Sequence, residues 1–309
     1  METAIQVTHL KKYFQEIKAV DDISFSVPKG EFFGFLGING AGKSTTINML
    51  CTLLEPTAGE AWLNGLKIGK DNEKIKKHIG VVYQNNCLDN LLTVKENLML
   101  RGSLYEENRR RLKENLAFAA GILDLEEVLD RPFGKLSGGQ KRRCEIARAL
   151  MHTPDILFLD EPTTGLDPAT RKSVWQAVHT LQKEMRMTVF LTTHYMEEAA
   201  KADHIGIMNH GKFVEYGTPF ALKETYAKDK LYLIPLQDQW EHIQSELKKR
   251  QLKYSRREEG ILVSIENTME ALDILDAMRQ RIQGFEVIQG TMDDVFLNVT
   301  KEEGNETVC

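Results

Sequence analysis

A glycine-rich loop carries the first residues that could do chemistry in this chain of 309 residues. Residues 37–45 read GINGAGKST and match the pattern G-x-x-x-x-G-K-S/T. Glycines let the backbone curl so that its N–H groups converge on phosphate oxygens. The lysine adds a positive charge beside the outer phosphates, and the serine hydroxyl can ligate Mg²⁺. The candidate phosphate-binding residues are Gly37, Asn39, Gly40, Ala41, Gly42, Lys43, Ser44 and Thr45.

Two adjacent carboxylates form a second candidate group. Asp160 and Glu161 follow the apolar run Ile156–Leu159, which is typical of a buried strand. In open α/β sheets, ligands bind at the carboxyl ends of the strands. Asp160 is therefore a candidate for holding Mg²⁺, and Glu161 for polarising an attacking water as general base. For this pair taken alone, a strand that simply ends in solvated acids is an equally good interpretation.

Positioning these groups requires alternating strands and helices. Short apolar strands are predicted at Phe32–Leu36, Ile156–Leu159 and Thr188–Thr193, with helices between them. The glycine loop follows the first strand and precedes a helix predicted over Ser44–Leu54. Residues at about 90–140 show helical spacing and predict an α-helical insert. Together these patterns predict an α/β fold with a largely parallel sheet.

The segment after this insert carries a distinctive pentapeptide. Residues 136–140 read LSGGQ and are followed by KRRCEIARAL. With the glycine loop, this segment resembles the signature of the ABC-type ATPases, and the resemblance covers residues 3–217. Other motifs appear in the family's order: an aromatic residue that stacks on adenine, the Q-loop glutamine, the D-loop aspartate in TTGLDP and the switch histidine in LTTH. The matching positions are Tyr13, Gln84, Asp167 and His194.

The resemblance implies a P-loop NTPase fold with a helical subdomain over residues 1–220, and a site for ATP and Mg²⁺ shared by two subunits. Each ATP would lie between the glycine loop of one subunit and the signature of the other, namely Ser137, Gly138, Gly139 and Gln140. The implied catalytic residues are Lys43, Gln84, Glu161 and His194. The implied Mg²⁺ ligands are Ser44, Gln84 and Asp160, and the residue implied to couple the two sites is Asp167.

A small α+β domain is predicted at 225–300, followed by a flexible tail at 301–309. Its second helix is predicted over Met269–Ile282, with Leu272, Leu275, Met278 and Ile282 sharing one face. The segment TMDDVFLNVT at 291–300 is similar to the closing motif of ATP-binding subunits of drug- and antibiotic-resistance exporters. A plain amphipathic terminal helix is the alternative interpretation of this segment.

Composition narrows the possible partners. Forty Lys and Arg residues against 45 Asp and Glu residues give a net charge of −5, which argues against a nucleic-acid partner. The sequence contains no apolar run of about 20 residues and no apolar secretory segment at its start, so we expect neither a transmembrane helix nor export. The basic clusters at 109–111 and 248–250 are interpreted as solvated helix faces rather than lipid contacts.

The resemblance therefore implies the ATP-hydrolysing subunit of an exporter of drug-, antibiotic- or lipid-type substrates. Such a subunit works at the cytoplasmic face of the membrane with a separate polytopic permease and a second ATP-binding subunit. An identical copy is expected for the latter, although intact motifs do not require one. A soluble ABC-type ATPase without a transport role and an ATP-dependent regulatory sensor are the alternatives. Residues between the glycine loop and the signature hold no sustained heptads, unlike the coiled coils of DNA-repair members.

Overall fold

The computed structural model describes residues 2–301, without the Lys301 side chain. Contacts divide the chain into one compact unit, Met1–Gly217, and a second, Thr218–Cys309. Apart from the backbone of Lys301, the tail predicted at 301–309 lies outside the described residues. Within the described residues, no helix is both long and apolar enough to span a lipid bilayer.

The first unit combines two sheets with a helical insert. Its strands are β1 (Thr3–Phe14), β2 (Ile17–Pro28), β3 (Phe32–Gly37), β4 (Ala58–Leu63), β5 (Leu66–Lys67), β6 (Ile79–Val82), β7 (Ile156–Asp160), β8 (Thr188–Thr193), β9 (His204–Asn209) and β10 (Lys212–Gly217). Its helices are α1 (Lys43–Leu50), α2 (Asn72–His78), α3 (Val94–Gly102), α4 (Arg109–Ile122), α5 (Gly138–Leu150), α6 (Pro168–Met185) and α7 (Met196–Ala199).

The central sheet has six strands in the order β10-β9-β3-β8-β7-β6. All neighbouring pairs are parallel except β10 with β9, which confirms the predicted fold class. Every residue of β3 and of β8 is buried, because helices or a second sheet cover both faces of these strands. The carboxyl ends of β3 and β7 therefore bring the glycine loop and the Asp160–Glu161 pair to one edge of the sheet.

A second, antiparallel sheet has the order β2-β1-β4-β5, and the sequence patterns did not reveal it. Its pairing depends on contacts between β1 and β4, which are far apart in the chain. Phe25 of this sheet packs its ring 5.6 Å from that of Phe33 and 6.1 Å from that of Phe190, both in the central sheet. The two sheets thus share one aromatic core.

Two helix boundaries differ from the sequence-based expectation. Helix α1 ends at Leu50 rather than Leu54, because Thr52 adopts a left-handed backbone conformation with φ 62°. Helix α6 begins at Pro168 rather than at Ser173, where the apolar pattern predicts its start, because proline suits the first turn and Asp167 caps it. Helices α3 and α4 lie in the range predicted for the helical insert, whereas α5 begins at its end and continues to Leu150.

The second unit is an antiparallel sheet with helices. Its strands are β11 (Asp229–Pro235), β12 (Tyr254–Arg256), β13 (Ile261–Ile265) and β14 (Ile282–Ile288), and its helices are α8 (Pro219–Tyr226), α9 (Trp240–Lys249), α10 (Glu270–Met278) and α11 (Met292–Lys301). The sheet order β12-β13-β11-β14 and the element order from β11 to β14 describe a split βαββαβ fold.

The predicted face of the helix near residue 275 is confirmed only in part. Met278 is buried as predicted and Leu275 packs against the core, whereas Leu272 is 53% exposed. Ile282 belongs to β14, because the helix ends four residues earlier. Packing against the sheet thus buries a face centred on Ile274, one residue before the predicted Leu275.

Candidate nucleotide site

A cavity of about 560 Å³ opens at the carboxyl edge of the central sheet. It is lined by Ile17, Lys18, Ala19, Asn39, Gly40, Gly42, Lys43, Ser44, Thr45, Gln84, Glu161 and His210. Eight of these positions were predicted from motifs in three separate stretches of sequence. The fold thus brings most of the glycine loop, the Q-loop glutamine and one strand-end carboxylate together around one space.

Glycines are required in the loop for steric reasons. Gly42 has φ +107°, and a Cβ atom there would lie 2.2 Å from the carbonyl oxygen of Ala19. Gly37 has no room either, since a Cβ atom would lie 2.6 Å from the carbonyl oxygen of Met208. The backbone of β2 and β9 therefore packs tightly around the loop, and its curled shape is available only to glycine at these positions.

Lys43 lies at the start of α1 and is buried. Its ammonium donates hydrogen bonds to the carbonyl oxygens of Gly37, at 2.8 Å, and Ile38, at 3.1 Å. Burial lowers the pKa of Lys43, and the carboxylates of Glu161 and Asp160 oppose that shift. The ammonium is thus held inside the loop by neutral acceptors, which phosphate oxygens can replace with stronger, charge-assisted bonds.

Glu161 lies at the point where β7 ends, with its side chain 14% exposed. Its carboxylate accepts hydrogen bonds from the Thr164 hydroxyl at 3.2 Å and from the Gln84 amide at 3.5 Å. Its backbone has φ +46°, which is unusual for a residue with a side chain, and its N–H donates to Thr192 O at 3.0 Å. A strained turn held by β8 thus aims this carboxylate into the cavity.

His194 approaches the same carboxylate from the end of β8. Its Nδ1 lies 3.3 Å from Glu161 Oε1, but the two groups are not aligned for a hydrogen bond. Among the described residues this buried nitrogen has no hydrogen-bond partner. The ring of Tyr195 lies 4.1 Å away and limits its rotation. The switch histidine therefore lies beside a carboxylate of the cavity, outside the lining itself, with a buried nitrogen that forms no hydrogen bond.

Asp160 is held at the end of β7 by the hydroxyl of Thr192, which donates to its carboxylate. With Ser44 and Gln84 it makes a donor set of hydroxyl, amide and carboxylate oxygens, the ligands that Mg²⁺ prefers. The described residues contain no group of three His, Cys, Asp or Glu side chains suited to a metal ion.

Tyr13 lies outside the lining of this cavity. Its hydroxyl donates to Asp21 Oδ1 at 2.6 Å, and the ammonium of Lys18 lies 5.5 Å from its ring centre. The residues of β2 that do line the cavity are Ile17, Lys18 and Ala19. These three residues, with His210, are the part of the lining that no motif indicated.

The signature residues also lie outside this lining, at the start of α5. The Ser137 hydroxyl accepts from Gln140 N at 3.3 Å, and Gln140 Oε1 accepts from Ser137 N at 3.0 Å. This reciprocal capping box fixes the first turn of the helix. A Cβ atom on Gly139 would lie 2.2 Å from a methyl carbon of Thr170 in α6, whereas Gly138 has open space. The first turn of α5 is therefore fixed by its own hydrogen bonds and lies outside the cavity that the glycine loop lines.

Two buried charged residues on α5, which sequence reasoning missed, form hydrogen bonds with the backbone of segments next to the site. Arg142 donates to the carbonyl oxygens of Tyr83, Asp160 and Pro162, and burial lowers its pKa to about 10. Glu145 accepts from Cys87 N at 2.5 Å and Leu88 N at 3.0 Å. One signal was available: Arg142 and Glu145 lie on the same helical face as buried Ile146 and Ala149.

The comparisons with known proteins agree with this geometry. The model of a family described as ABC transporter matches residues 20–164. The daunorubicin/doxorubicin resistance ATP-binding protein of Streptomyces peucetius is 36% identical over 312 residues, which cover 96% of this chain and 92% of that protein. This chain belongs to the ABC transporter family. ATP binding and hydrolysis, predicted from the motifs, are the chemistry of the ATPases in this family.

Other members of the ABC transporter family extend the comparison. A probable multidrug ABC transporter ATP-binding protein of Escherichia coli K12 is 40% identical over 229 residues, which cover 74% of this chain. The match spans 39% of the length of that relative. A dimeric ATP-binding cassette solved in a post-hydrolysis state with ADP and Pi is 28% identical, with a TM-score of 0.64, over 70% of this chain and 98% of the cassette. These matches confirm the predicted P-loop fold.

Proposed function

We propose that this chain is the ATP-hydrolysing subunit of an exporter. The observation that carries the proposal is the split site: Lys43, Gln84 and Glu161 line one open cavity, whereas the Ser137–Gln140 turn, at the start of another helix, lies outside that lining. One chain therefore supplies only part of the surroundings of a nucleotide. A second ATP-binding subunit, expected to be an identical copy, would supply the remaining contacts.

In this proposal the glycine loop binds the phosphates through its N–H groups, and Lys43 exchanges its loop carbonyls for phosphate oxygens. Ser44, Gln84 and Asp160 would hold Mg²⁺, which neutralises charge on the phosphates when bound. Glu161 orients the attacking water and accepts its proton. His194 directs its unpaired nitrogen toward the γ-phosphate. Tyr13 stacks on adenine only if its ring leaves the contacts with Asp21 and Lys18.

The second subunit adds an anion-binding helix end. The N-terminus of α5 carries the positive end of a helix dipole, and Gly138 leaves the backbone accessible there. Closure around ATP also excludes water and strengthens each polar contact with the nucleotide. Asp167, at the start of α6, couples the two sites across the interface. ATP would thus shift the subunits toward the closed pair, and hydrolysis would release them.

A separate polytopic permease would receive this movement at the cytoplasmic face of the membrane. A groove of about 210 Å³ lies between the central sheet and the helical insert. Ile79 and Val81 contribute apolar surface to it, and Arg101, Leu104 and Tyr105 form its outer side. This mixture suits a short amphipathic helix of a permease. Relatives named for daunorubicin, linearmycin and bacitracin favour a drug- or antibiotic-type substrate.

Co-purification from detergent-solubilised membranes tests the transport role. A polytopic membrane protein should elute with the tagged full chain, and the yield should fall when Leu104 is replaced by Glu in the groove. Association with soluble partners alone would instead support an ABC-type ATPase without a transport role. A phosphate-release assay tests the third possibility, a regulatory sensor, because a sensor would bind ATP without hydrolysing it.

A further inference from the structure

A basic and apolar surface lies beside the proposed permease groove. We name it the arginine patch: Leu100, Leu104, Arg109, Arg110 and Arg111. The two leucines are 57% and 69% exposed, although neither is at a chain end. The side chains of Arg110 and Arg111 are 89% and 72% exposed. Leu104 also lines the groove, so the patch is continuous with the surface that would face the permease.

Positive charge in the arginine patch is concentrated at the N-terminus of α4. Helix α4 begins with three successive arginines, at the end where the helix dipole is already positive. Arg110 has a partner in Glu114 at 3.0 Å, and Arg111 lies 3.9 Å from Glu106. The segment from Leu100 to Lys113 contains five basic residues and two acidic ones, in a chain whose net charge is −5. This surface therefore attracts anions.

The surface is also shaped for headgroups. Arg109, Arg110 and Lys113 line a shallow depression of about 430 Å³ together with Glu114 and Ala117, so three cations face one carboxylate. Exposed leucines beside clustered arginines are the combination found where proteins lie on anionic bilayers: apolar side chains enter the boundary of the acyl chains while cations meet phosphates. An RNA or DNA backbone would engage the cations but leave the leucines without a partner.

We propose that the arginine patch binds the anionic surface of the membrane and supplements the permease in holding this subunit there. The proposal replaces the sequence-based interpretation of residues 109–111 as an ordinary solvated helix face. It rests on the proposed function, because that function places the neighbouring groove against a membrane protein. It adds a lipid contact made by this chain itself.

Vesicle flotation with the purified full chain tests the proposal. Vesicles of phosphatidylcholine containing 30% phosphatidylglycerol should carry the protein, whereas pure phosphatidylcholine should not, and 0.5 M NaCl should release it. The variant Arg109→Gln/Arg110→Gln/Arg111→Gln should bind the anionic vesicles about tenfold to a hundredfold less strongly, because it loses the attraction of three cations to the bilayer. The matched control removes three cations from the second unit, Lys248→Gln/Lys249→Gln/Arg250→Gln, and should bind as the wild type does.

A second variant addresses the apolar half of the patch. Leu100→Ser should reduce partitioning while leaving its dependence on salt intact. Equal flotation with and without phosphatidylglycerol, or an equal loss in the control variant, would overturn the proposal. ATP hydrolysis by the triple-glutamine variant should remain at the wild-type rate and its unfolding temperature should be unchanged. If the wild-type protein hydrolyses no ATP but still floats with the anionic vesicles, the result contradicts the proposed function and supports the lipid contact.

Discussion

Glu161, the proposed general base, has surroundings that set it apart from an ordinary strand-end acid. Its backbone adopts a left-handed conformation that costs stability, while Thr164 and Gln84 donate to its carboxylate. A structural acid at a strand end would need neither feature. The neighbouring Asp160 is bonded to Thr192 and lies on the preceding residue of the strand, so the two carboxylates have distinct surroundings.

Replacing Glu161 by Gln should preserve ATP binding and lower kcat by about 10²–10⁴, because the amide keeps the shape of the side chain but cannot accept a proton. Phosphate release and fluorescent-nucleotide titration measure the two properties separately. Glu73→Gln, at an exposed position of α2, serves as the control with unchanged turnover. Wild-type turnover in the Glu161 variant would exclude this residue as the base.

Arg142 acts on the site from a distance, as a positioning residue. Arg142→Lys should lower both the unfolding temperature and kcat with little change in KM, because one ammonium cannot reach three carbonyls from Tyr83, Asp160 and Pro162. A buried carbonyl left unpaired costs about 1–3 kcal/mol. Arg143→Lys is the matched control, since that side chain donates at 3.1 Å to a single carbonyl, Leu123 O. Equal losses in both variants would argue against a positioning role.

At the scale of elements, helix ends carry much of the function. Helix α1 begins in the glycine loop, α5 begins at the signature serine, and α6 begins at the D-loop aspartate. Each motif residue therefore has a structural task in addition to its proposed chemistry. Variants at these positions need a stability measurement alongside the activity measurement, because lost caps and lost contacts with nucleotide both reduce turnover.

The contribution of the Asp167 cap on α6 to stability can be measured by varying the pH. Hydrogen bonds from the Thr170 side chain and backbone lower the pKa of its carboxyl group. Its contribution to stability is therefore complete above the ordinary aspartate pKa and is lost as pH falls through the lowered, folded-state value. Asp167→Ala should reduce the unfolding temperature by about 2–4 °C at pH 7, and the difference from wild type should shrink toward pH 3.

Asp167→Asn provides the control for this measurement. Asparagine also caps helices but carries no titratable group, so its unfolding temperature should stay near the wild-type value at neutral pH. An alanine variant whose deficit is constant from pH 7 to pH 3 would contradict the cap assignment. If the asparagine variant is stable but no longer hydrolyses ATP, Asp167 has a role in coupling the two sites in addition to capping the helix.

At the scale of the whole molecule, our proposal requires a second copy to complete the site. Glu161→Gln should form a stable dimer with ATP and Mg²⁺, seen by light scattering as a doubling of the 35.2 kDa mass, because the nucleotide is trapped unhydrolysed. Adding Ser137→Arg should prevent the dimer by placing a bulky cation at the signature. Ser103→Arg, at another exposed serine, should leave it intact. Dimers that form equally without ATP would contradict a nucleotide-bridged interface.

Several features of the site were predictable from local sequence. The glycine loop, the strand-end carboxylates and the buried strands β3, β7 and β8 are encoded in short windows, where backbone freedom and hydrophobic runs determine the outcome. The second sheet was not predictable in the same way, because β1 joins β4 through hydrogen bonds that leave only a weak local pattern. The shifted face of α10 has a similar origin, since packing against the sheet decides which of its apolar residues are buried.

The sequence by itself determined the chemical inventory and its order: a phosphate loop, paired carboxylates, a signature turn and a histidine, each set by neighbouring residues. The tertiary structure alone decided which of these meet. Gln84 reaches Glu161 across 77 residues of chain, Arg142 binds three carbonyls from separate segments, and the signature lies outside the cavity that its own loop lines. Such contacts depend on how sheets and helices pack, and no local window contains that information.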